Sequence, residues 1–149
     1  GGTENVAGII GFAEAVRIAQ DSMQENNNHV NELKQRFITG IRSIDKEGII
    51  INGGINTSPY ILSITFKSDH YKNDPEAMLM FLDINGVAVS NGAACSSGTV
   101  KPSHVILSTG YSVEDAKGTI RFSFGWQNTT EEVDYSLEVI NQLTNKFKK

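Results

Sequence analysis

The sequence predicts an α/β protein in which a long N-terminal helix precedes a small mixed sheet backed by further helices. Two observations carry this prediction. Apolar residues recur with a helical period through the first third of the chain, and short strand-like segments then alternate with segments that carry helix-start signals. With 149 residues, 39% of them hydrophobic and 20% charged, the chain has the size and balance of one compact globular domain.

The first helix is predicted to be capped by the hydroxyl of Thr3, with Glu4 in its first turn. Its apolar stripe runs from Val6 to Ile44 and is interrupted by a polar patch. Three consecutive asparagines at residues 26–28 form helices poorly, so the stripe fits either one helix of about forty residues or two helices joined there. A helix of that length is typical of a segment between two bodies of a larger protein. Residues 1–45 are therefore predicted to form this helical segment, either unbroken or broken near residues 26–28, and residues 46–149 the rest of the fold.

The rest of the chain alternates between strands and helices. Four segments have the apolar pattern of strands: residues 49–51, 60–66, 87–89 and 119–124. Short helices are predicted over residues 102–108 and 112–117. Two more helices have clear start signals, one at Asp74 followed by proline and one at Thr129, which forms a capping box with Glu132.

Composition excludes several functional classes. The net charge is −4 and the only cationic cluster, Lys146, Lys148 and Lys149, lies at a predicted helix end, so we expect no direct nucleic-acid binding. No apolar run reaches the roughly 18 residues of a membrane span, and no signal peptide is visible. A single cysteine forms no internal disulfide, which favours a reducing, cytoplasmic setting.

That cysteine, Cys95, lies in residues 90–98, all of which are small or polar. This composition is typical of a loop, whereas a structural cysteine usually lies among large apolar residues. We interpret Cys95 as a candidate reactive thiol; the alternative is an inert surface thiol. The neighbouring hydroxyls and amides suit a thiolate.

Arg121 lies in the middle of a predicted strand, on the face that carries Thr119 and Ser123 and opposite a face of isoleucine and phenylalanine. An arginine held in this way suits bidentate binding of a carboxylate, although an ordinary ion pair fits the pattern too. Thr3, at a helix N-terminus, is a candidate anion contact as well as a cap. The three histidines share no metal-ligand spacing with each other or with Cys95, so no metal site is expected. His29 is expected on a solvated helix face, and His104 is left unassigned.

Several of these segments, taken together, resemble cysteine desulfurases of the NifS/IscS type, which have the class V aminotransferase fold. Residues 87–98 and 101–105 are similar to the active-site cysteine loop of that family. Residues 119–125 and 129–135 resemble its arginine strand and last helix, and residues 2–6 resemble the Ser-Gly-Thr-Glu-Asn start of its long helix. The resemblance keeps order and spacing along nearly the whole chain.

The resemblance implies a pyridoxal-phosphate (PLP) enzyme, usually a homodimer, that takes sulfur from L-cysteine and leaves alanine and a persulfide. Cys95 would then be the nucleophile that receives the sulfur, and Arg121 would bind the substrate carboxylate. Thr3 would donate to the PLP phosphate of the neighbouring subunit. An iron–sulfur scaffold or a thiolation enzyme would accept the sulfur.

The sequence departs from the family pattern at Gly2, Asn91, Ala93 and Trp126, none of which removes a proposed catalytic atom. A larger departure concerns the cofactor. The family binds PLP through a lysine in a Ser-x-His-Lys segment, and residues 68–72 are similar except that Lys72 comes one residue late. We reject Lys72 as the Schiff-base lysine.

The resemblance implies that the chain is the C-terminal part of such an enzyme, with residues 1–45 as the long interdomain helix and residues 46–149 as the small C-terminal domain that carries the cysteine loop 90–99. The chain begins inside a motif and without an initiator methionine, and we expect it to be inactive alone. Three alternatives remain open: a stand-alone persulfide carrier, a purely structural module with an inert cysteine, and a related PLP enzyme of the selenocysteine lyase type.

Overall fold

The computed structural model of the chain describes residues 2–54, 56–91 and 102–149. Its elements, in chain order, are α1 (Val6–Asp45), β1 (Ile49–Asn52), β2 (Ile61–Phe66), α2 (Pro75–Ile84), β3 (Ser90–Asn91), α3 (His104–Ser108), α4 (Val113–Lys117), β4 (Thr119–Ser123) and α5 (Thr130–Phe147). The predicted α/β class, with a long first helix and a small sheet backed by helices, is confirmed.

The sheet has the strand order β1-β2-β4-β3, and every strand pair in the described residues is antiparallel. The prediction of a mixed sheet was therefore wrong. The β2–α2–β3 connection does join two strands of the same direction, as in a parallel crossover. However, β4 lies between them and pairs with both in the opposite direction.

Helix α1 is continuous through residues 26–28, so of the two alternatives the single long helix is correct. Tertiary contacts outweigh the low helix propensity of the asparagines there. Asn27 accepts a hydrogen bond from the Tyr60 hydroxyl, and one face of the helix is buried from Val30 to Ile41.

The predicted cap of α1 was wrong. The helix begins at Val6, and the side chain of Asn5 accepts a hydrogen bond from the Gly8 amide at 3.1 Å. Thr3 therefore precedes the helix, and Glu4 lies outside its first turn. Asparagine caps as well as threonine does, so sequence alone did not separate the two positions.

The core lies between the apolar face of the sheet and helices α1, α2 and α5. Leu33, Phe37 and Ile41 of α1 are buried there with Ile140 and Leu143 of α5. The Phe37 ring lies 4.8 Å from that of Phe122 on β4. Burial of such side chains is the main stabilising contribution to the fold.

His29 is also drawn toward this core, contrary to its predicted position on a solvated face. It is half-buried, and its Nε2 lies 2.9 Å from the carbonyl oxygen of Asn128. His29 directly precedes buried Val30 in the helix. Its hydrogen-bond partner, Asn128, lies in the β4–α5 connection, 99 residues later in the chain.

The predicted start signals of α2 and α5 are confirmed. Asp74 accepts from the Ala77 amide, and Thr129 and Glu132 form the reciprocal capping box. The strand predicted at residues 87–89 is displaced, because β3 begins only at Ser90. The Val87 amide instead donates to the Leu82 carbonyl and so completes the end of α2.

The N-terminal half of α1 makes no buried contact in the described part of the chain. Residues 6–20 carry only two charged side chains, Glu14 and Arg17, which pair with each other. The large apolar side chains of this half are exposed, among them Ile10 at 64% and Phe12 at 73%. A helix that is apolar on nearly all sides is normally covered, so this half requires a covering surface.

We expect the isolated chain to self-associate through this half of α1. Light scattering behind size exclusion should give a mass above 16.3 kDa that rises with concentration. The double variant Ile10→Glu/Phe12→Glu should restore the monomer, whereas Arg36→Glu, on the buried half of the helix, should not. A monomer at every concentration would contradict the expectation.

No helix in the described ranges is long and apolar enough to cross a membrane.

The C-terminal end of α1 is fixed by a buried phenol. The Tyr71 hydroxyl donates to Asp45, whose other oxygen accepts the amides of Glu47 and Gly48. Burial raises the pKa of Tyr71, and the Asp45 carboxylate raises it further. Burial alone would raise the pKa of Asp45, but the hydrogen bonds from Tyr71, Gly48 and Glu47 outweigh it and lower that pKa.

These shifts predict a loss of stability at both extremes of pH. The folded state holds the Tyr71 proton more tightly than the unfolded state, so this stabilisation is full below the ordinary tyrosine pKa of about 10 and is lost as pH rises above it. The lowered pKa of Asp45 gives stability that is lost as pH falls below about 4. In urea unfolding at pH 7, Tyr71→Phe should lower the free energy of unfolding by about 1.5–3 kcal/mol. The variant should also lose less of its stability than the parent chain as pH rises above about 10. Tyr135→Phe is the control, and equal alkaline profiles for Tyr71→Phe and the parent chain would refute the assignment.

Candidate active site

Arg121 occupies the middle of β4, on the polar face of the sheet. Its neighbours along the strand, Ile120 and Phe122, are buried in the core, so the arginine faces the other side. In the strand register it lies directly between Ser63 of β2 and Ser90 of β3. Antiparallel partners project to the same face, so Arg121 is flanked by two short hydroxyl side chains.

The guanidinium of Arg121 has no protein counter-charge in the described residues: no acidic side chain lies within 4.0 Å of it there. Its Nε is buried and has no hydrogen-bond partner among those residues. An unpaired buried donor costs free energy, and an arginine fork matches a carboxylate in charge and geometry. The site therefore suits an incoming carboxylate better than the structural ion pair that the sequence left open.

A hydrogen-bond network supports this face of the sheet. The Asn52 amide on β1 donates to Ser63 Oγ at 3.0 Å and to Thr65 Oγ1 at 2.9 Å. Thr65 Oγ1 in turn lies 2.8 Å from Thr119 Oγ1 on β4. The network connects strands β1, β2 and β4. It runs through the cross-strand neighbours Ser63 and Asn52 of Arg121 and through the next pair on the same face, Thr65 and Thr119. It leaves the arginine itself as the charged group on a face of hydroxyls and amides.

Tyr111 joins this network from outside the sheet. Its hydroxyl donates to Asn52 Oδ1 at 2.8 Å. Burial raises the pKa of Tyr111, and the negative charge of Asp115 adds to the shift, so the phenol keeps its proton for this bond. Tyr111 follows α3, so this hydrogen bond connects the segment after residue 101 to Asn52, which is in cross-strand register with Ser63 and Arg121.

Cys95 lies outside the described residues, within residues 92–101. The described residues on both sides of that segment approach the same row of the sheet. Before it, Ser90 pairs with Arg121 and Asn91 pairs with Ile120. After it, Tyr111 is bonded to Asn52.

Thr3 is exposed and is not brought near Arg121. Asn27 of α1 contacts Tyr60 beside the sheet, and Thr3 lies 24 residues earlier, roughly 35 Å away along a helix that rises 1.5 Å per residue. A role for Thr3 in this site would therefore require another subunit or another part of a longer protein.

Neither Lys72 nor the histidines join the site. The Lys72 amide donates to the Phe147 carbonyl, which ties this exposed residue to the C-terminal end of α5. His104 is exposed at the start of α3, and His70 is 4.0 Å from Asp45 and Asp69. In residues 2–54, 56–91 and 102–149, no group of three potential ligands could hold a metal ion.

The sequence placed Arg121 on a polar strand face, but Asn52 and Tyr111 were not identified as residues of the site. Asn52 precedes two glycines and carries no motif that marks it. Tyr111 is 59 residues away from its partner, and no local signal connects them.

The chain is similar to known proteins along nearly its whole length. The family model described as "Aminotransferase class-V" matches residues 1–135. A cysteine desulfurase IscS from Clostridium botulinum is 38% identical over 144 residues, which cover 95% of this chain and 35% of that relative. One from Proteus mirabilis is 35% identical over 148 residues, covering 99% of this chain. The chain thus spans about a third of the length of the curated relatives it matches.

The fold has solved counterparts too. A NifS-like protein from Rickettsia africae superimposes with a TM-score of 0.77 at 25% identity, over 97% of this chain and 36% of that protein. The cysteine desulfurase CsdA from Escherichia coli shows the same fold, with a TM-score of 0.67 at 21% identity over 98% of this chain.

Proposed function

Because the chain belongs to the class V aminotransferase family, we propose that it is the C-terminal part of a cysteine desulfurase. The full-length enzyme would remove sulfur from L-cysteine, releasing L-alanine and leaving a persulfide on Cys95. The similarity to desulfurases named IscS supports the reaction, although those relatives are about three times as long.

The observation that carries the proposal is the unpaired, partly buried guanidinium of Arg121, which pairs in the strand register with Ser90, two residues before the cysteine segment at residues 92–101. Arg121 would bind the carboxylate of L-cysteine through two parallel hydrogen bonds and so fix the amino acid in one orientation. Cys95 follows Asn91 by four residues, which span at most about 14 Å of extended chain. This reach is enough to bring the thiol to a substrate held by Arg121.

The proposed step at Cys95 is a nucleophilic attack on sulfur. The Cys95 thiolate forms a bond to the substrate sulfur while the substrate C–S bond breaks. The electron pair of that bond stays with the substrate carbon, which is then protonated to give alanine. The persulfide on Cys95 would next pass to an acceptor such as an iron–sulfur scaffold or a thiolation enzyme.

Members of this family use PLP, which serves as an electron sink. The described residues offer it one contact: the exposed hydroxyl of Thr3, just before the N-terminus of α1, suits a phosphate group. We propose no Schiff-base lysine among them: Lys72, whose segment is the one similar to the family's, lies where the main chain is hydrogen-bonded to the end of α5. The residues present therefore do not hold PLP alone.

The exposed half of α1 supports the proposed domain division. Residues 1–45 would connect residues 46–149 to the remainder of the enzyme, which would cover the apolar side chains near Ile10 and Phe12. Thr3 would then reach the PLP of a neighbouring subunit in a homodimer. A cytoplasmic setting fits a chain with one cysteine and no internal disulfide.

The proposal is tested by giving the chain and the full-length protein PLP and L-cysteine. We expect the full-length protein to form alanine and to gain one sulfur atom at Cys95, measured by intact mass and peptide mapping. The chain alone should form no alanine. Alanine formation by the chain would reopen Lys72 as the Schiff-base residue, and an inactive full-length protein with PLP bound would refute the desulfurase proposal.

A persulfide carrier is the second candidate, supported by the cysteine segment itself. It predicts that the chain alone takes up sulfur from a separate, persulfide-loaded desulfurase. Uptake at Cys95 without alanine formation by the full-length protein would favour the carrier. A selenocysteine lyase-like enzyme would instead prefer selenocysteine to cysteine in kcat/KM.

A further inference from the structure

A cationic cleft lies along the outer edge of the sheet, away from Arg121. We call it the β1 cleft. It has a volume of about 470 Å³ and is bounded by strand β1, by Arg42 and Lys46 at the end of α1, and by Lys67 and His70 after β2. Nothing in the proposed desulfurase chemistry uses these residues.

Strand β1 offers free main-chain groups to this cleft. It is an end strand of the sheet, and just before it the Gly48 carbonyl accepts a hydrogen bond from the amide of Lys67, which follows β2. Bonded pairs alternate in an antiparallel ladder, so Ile50 also faces β2, while Ile49 and Ile51 direct their N–H and C=O groups outward. Within the described residues these outward groups have no backbone partner outside the strand ladder. An unpaired edge of this kind is a template for another strand.

The charge of the β1 cleft opposes that of the whole chain. The chain carries a net charge of −4, yet three cations line the cleft and Glu47 is its one acidic lining residue. Arg42, Lys46 and Lys67 form no ion pair with any described residue. Some cations elsewhere are paired, as Arg36 is with Asp134 and Lys117 with Glu114, whereas Arg121 is unpaired as well among the described residues.

We propose that the β1 cleft binds an extended acidic segment of a partner protein, which adds to the sheet as a fifth strand beside β1. The outward groups of Ile49 and Ile51 would form the main-chain hydrogen bonds. Alternate carboxylates of the segment would contact Arg42, Lys46 and Lys67, giving the charge complementarity that selects the partner. The proposal is independent of the desulfurase assignment.

A protein segment fits the cleft better than a nucleic acid. Isoleucine side chains and an unpaired strand edge form its wall. A single-stranded nucleic acid would use the cations alone, since no aromatic ring other than the His70 imidazole lines the described cleft for base stacking.

The test uses a capped peptide of alternating glutamate and valine, seven residues long, as the probe. Binding is measured by calorimetry at low and high salt with the chain and with the full-length protein. We expect the acidic peptide to bind both proteins, with affinity falling as salt rises. A lysine–valine peptide should not bind. Hydrogen exchange at Ile49 and Ile51 should slow on binding, while exchange in α5 should not change.

Two controls separate strand addition from simple charge attraction. A peptide methylated on alternate backbone nitrogens keeps its charge but loses its donors, and it should bind about tenfold more weakly. Lys46→Gln/Lys67→Gln should also weaken binding about tenfold, whereas Lys72→Gln/Lys117→Gln, with the same change in net charge, should stay within about twofold.

Four results would overturn the proposal. The methylated peptide could bind as tightly as the parent peptide, or Ile49 and Ile51 could show no added protection. A single-stranded oligonucleotide of equal charge could bind more tightly at the same salt, which would indicate a nucleic-acid site. Binding to the chain but not to the full-length protein would show that the edge is covered. The comparison with the methylated peptide changes only the peptide, so its result does not depend on whether a protein variant folds.

Discussion

Replacing Cys95 by alanine in the full-length protein is expected to abolish the formation of alanine and persulfide from L-cysteine while PLP binding persists. The reason is chemical: alanine has no atom that can form a bond to the substrate sulfur, and Cys95 is the only cysteine in the chain described here. None of the contacts proposed for PLP or for the substrate carboxylate involves residue 95. Cofactor and substrate should therefore still bind.

This prediction is checked by three readouts on one preparation: cofactor absorbance, alanine released and the mass of the protein after exposure to L-cysteine. Ser97→Ala is the matched control, because it removes a neighbouring hydroxyl and keeps the thiol. It should retain most of the turnover. Loss of cofactor absorbance in Cys95→Ala would show that the residue supports the PLP site, and undiminished turnover would show that another group receives the sulfur.

The local elements of the fold were largely predictable because their signals are local. The caps at Asp74 and Thr129 lie within three residues of the amides they bind, and both formed as expected. Strand β4 was predicted from alternation alone. The cap of α1 was misplaced because Thr3 and Asn5 have similar capping preference, so the sequence does not separate the two positions.

Features that depend on distant partners were not predictable. The direction of strand pairing was missed because insertion of β4 between β2 and β3 involves residues far apart in the chain. The polar side chain of His29 indicated a solvated face, but its partner is the carbonyl of Asn128, 99 residues later. In both cases a tertiary contact between distant segments determined the structure, and the local sequence pattern carries no information about such a contact.

The candidate site also has features that the sequence predicted and features that depend on distant partners. The strand alternation indicated that Arg121 projects from the polar face, and the structure adds that its guanidinium has no acidic partner in the described residues. The support through Asn52 and Tyr111 required knowledge of the strand register. Cys95 was identified by residue type and neighbours, and its role stays a prediction.

Replacing Arg121 by alanine in the full-length protein is expected to raise KM for L-cysteine by roughly a hundredfold, because truncating one member of a buried charged pair costs several kcal/mol. Arg121→Lys should recover part of this loss, since it keeps the charge without the planar fork. Steady-state kinetics with L-cysteine provide the measurement. Arg36→Ala, which removes an exposed ion pair with Asp134, should leave KM unchanged. Unchanged kinetics for Arg121→Ala would mean that another group binds the carboxylate.

A second variant tests the same role without altering Arg121. Ser63 lies directly opposite Arg121 in the ladder, where facing Cβ atoms are about 4.5–5.5 Å apart. Ser63→Asp would place a carboxylate on the guanidinium and compete with the substrate, so KM should rise toward that of Arg121→Ala. Ser63→Asn has nearly the same volume and no charge, and it should change KM much less. If the two Ser63 variants raise KM equally, the effect comes from the bulk of the side chain at residue 63, and the carboxylate-binding role of Arg121 loses this support.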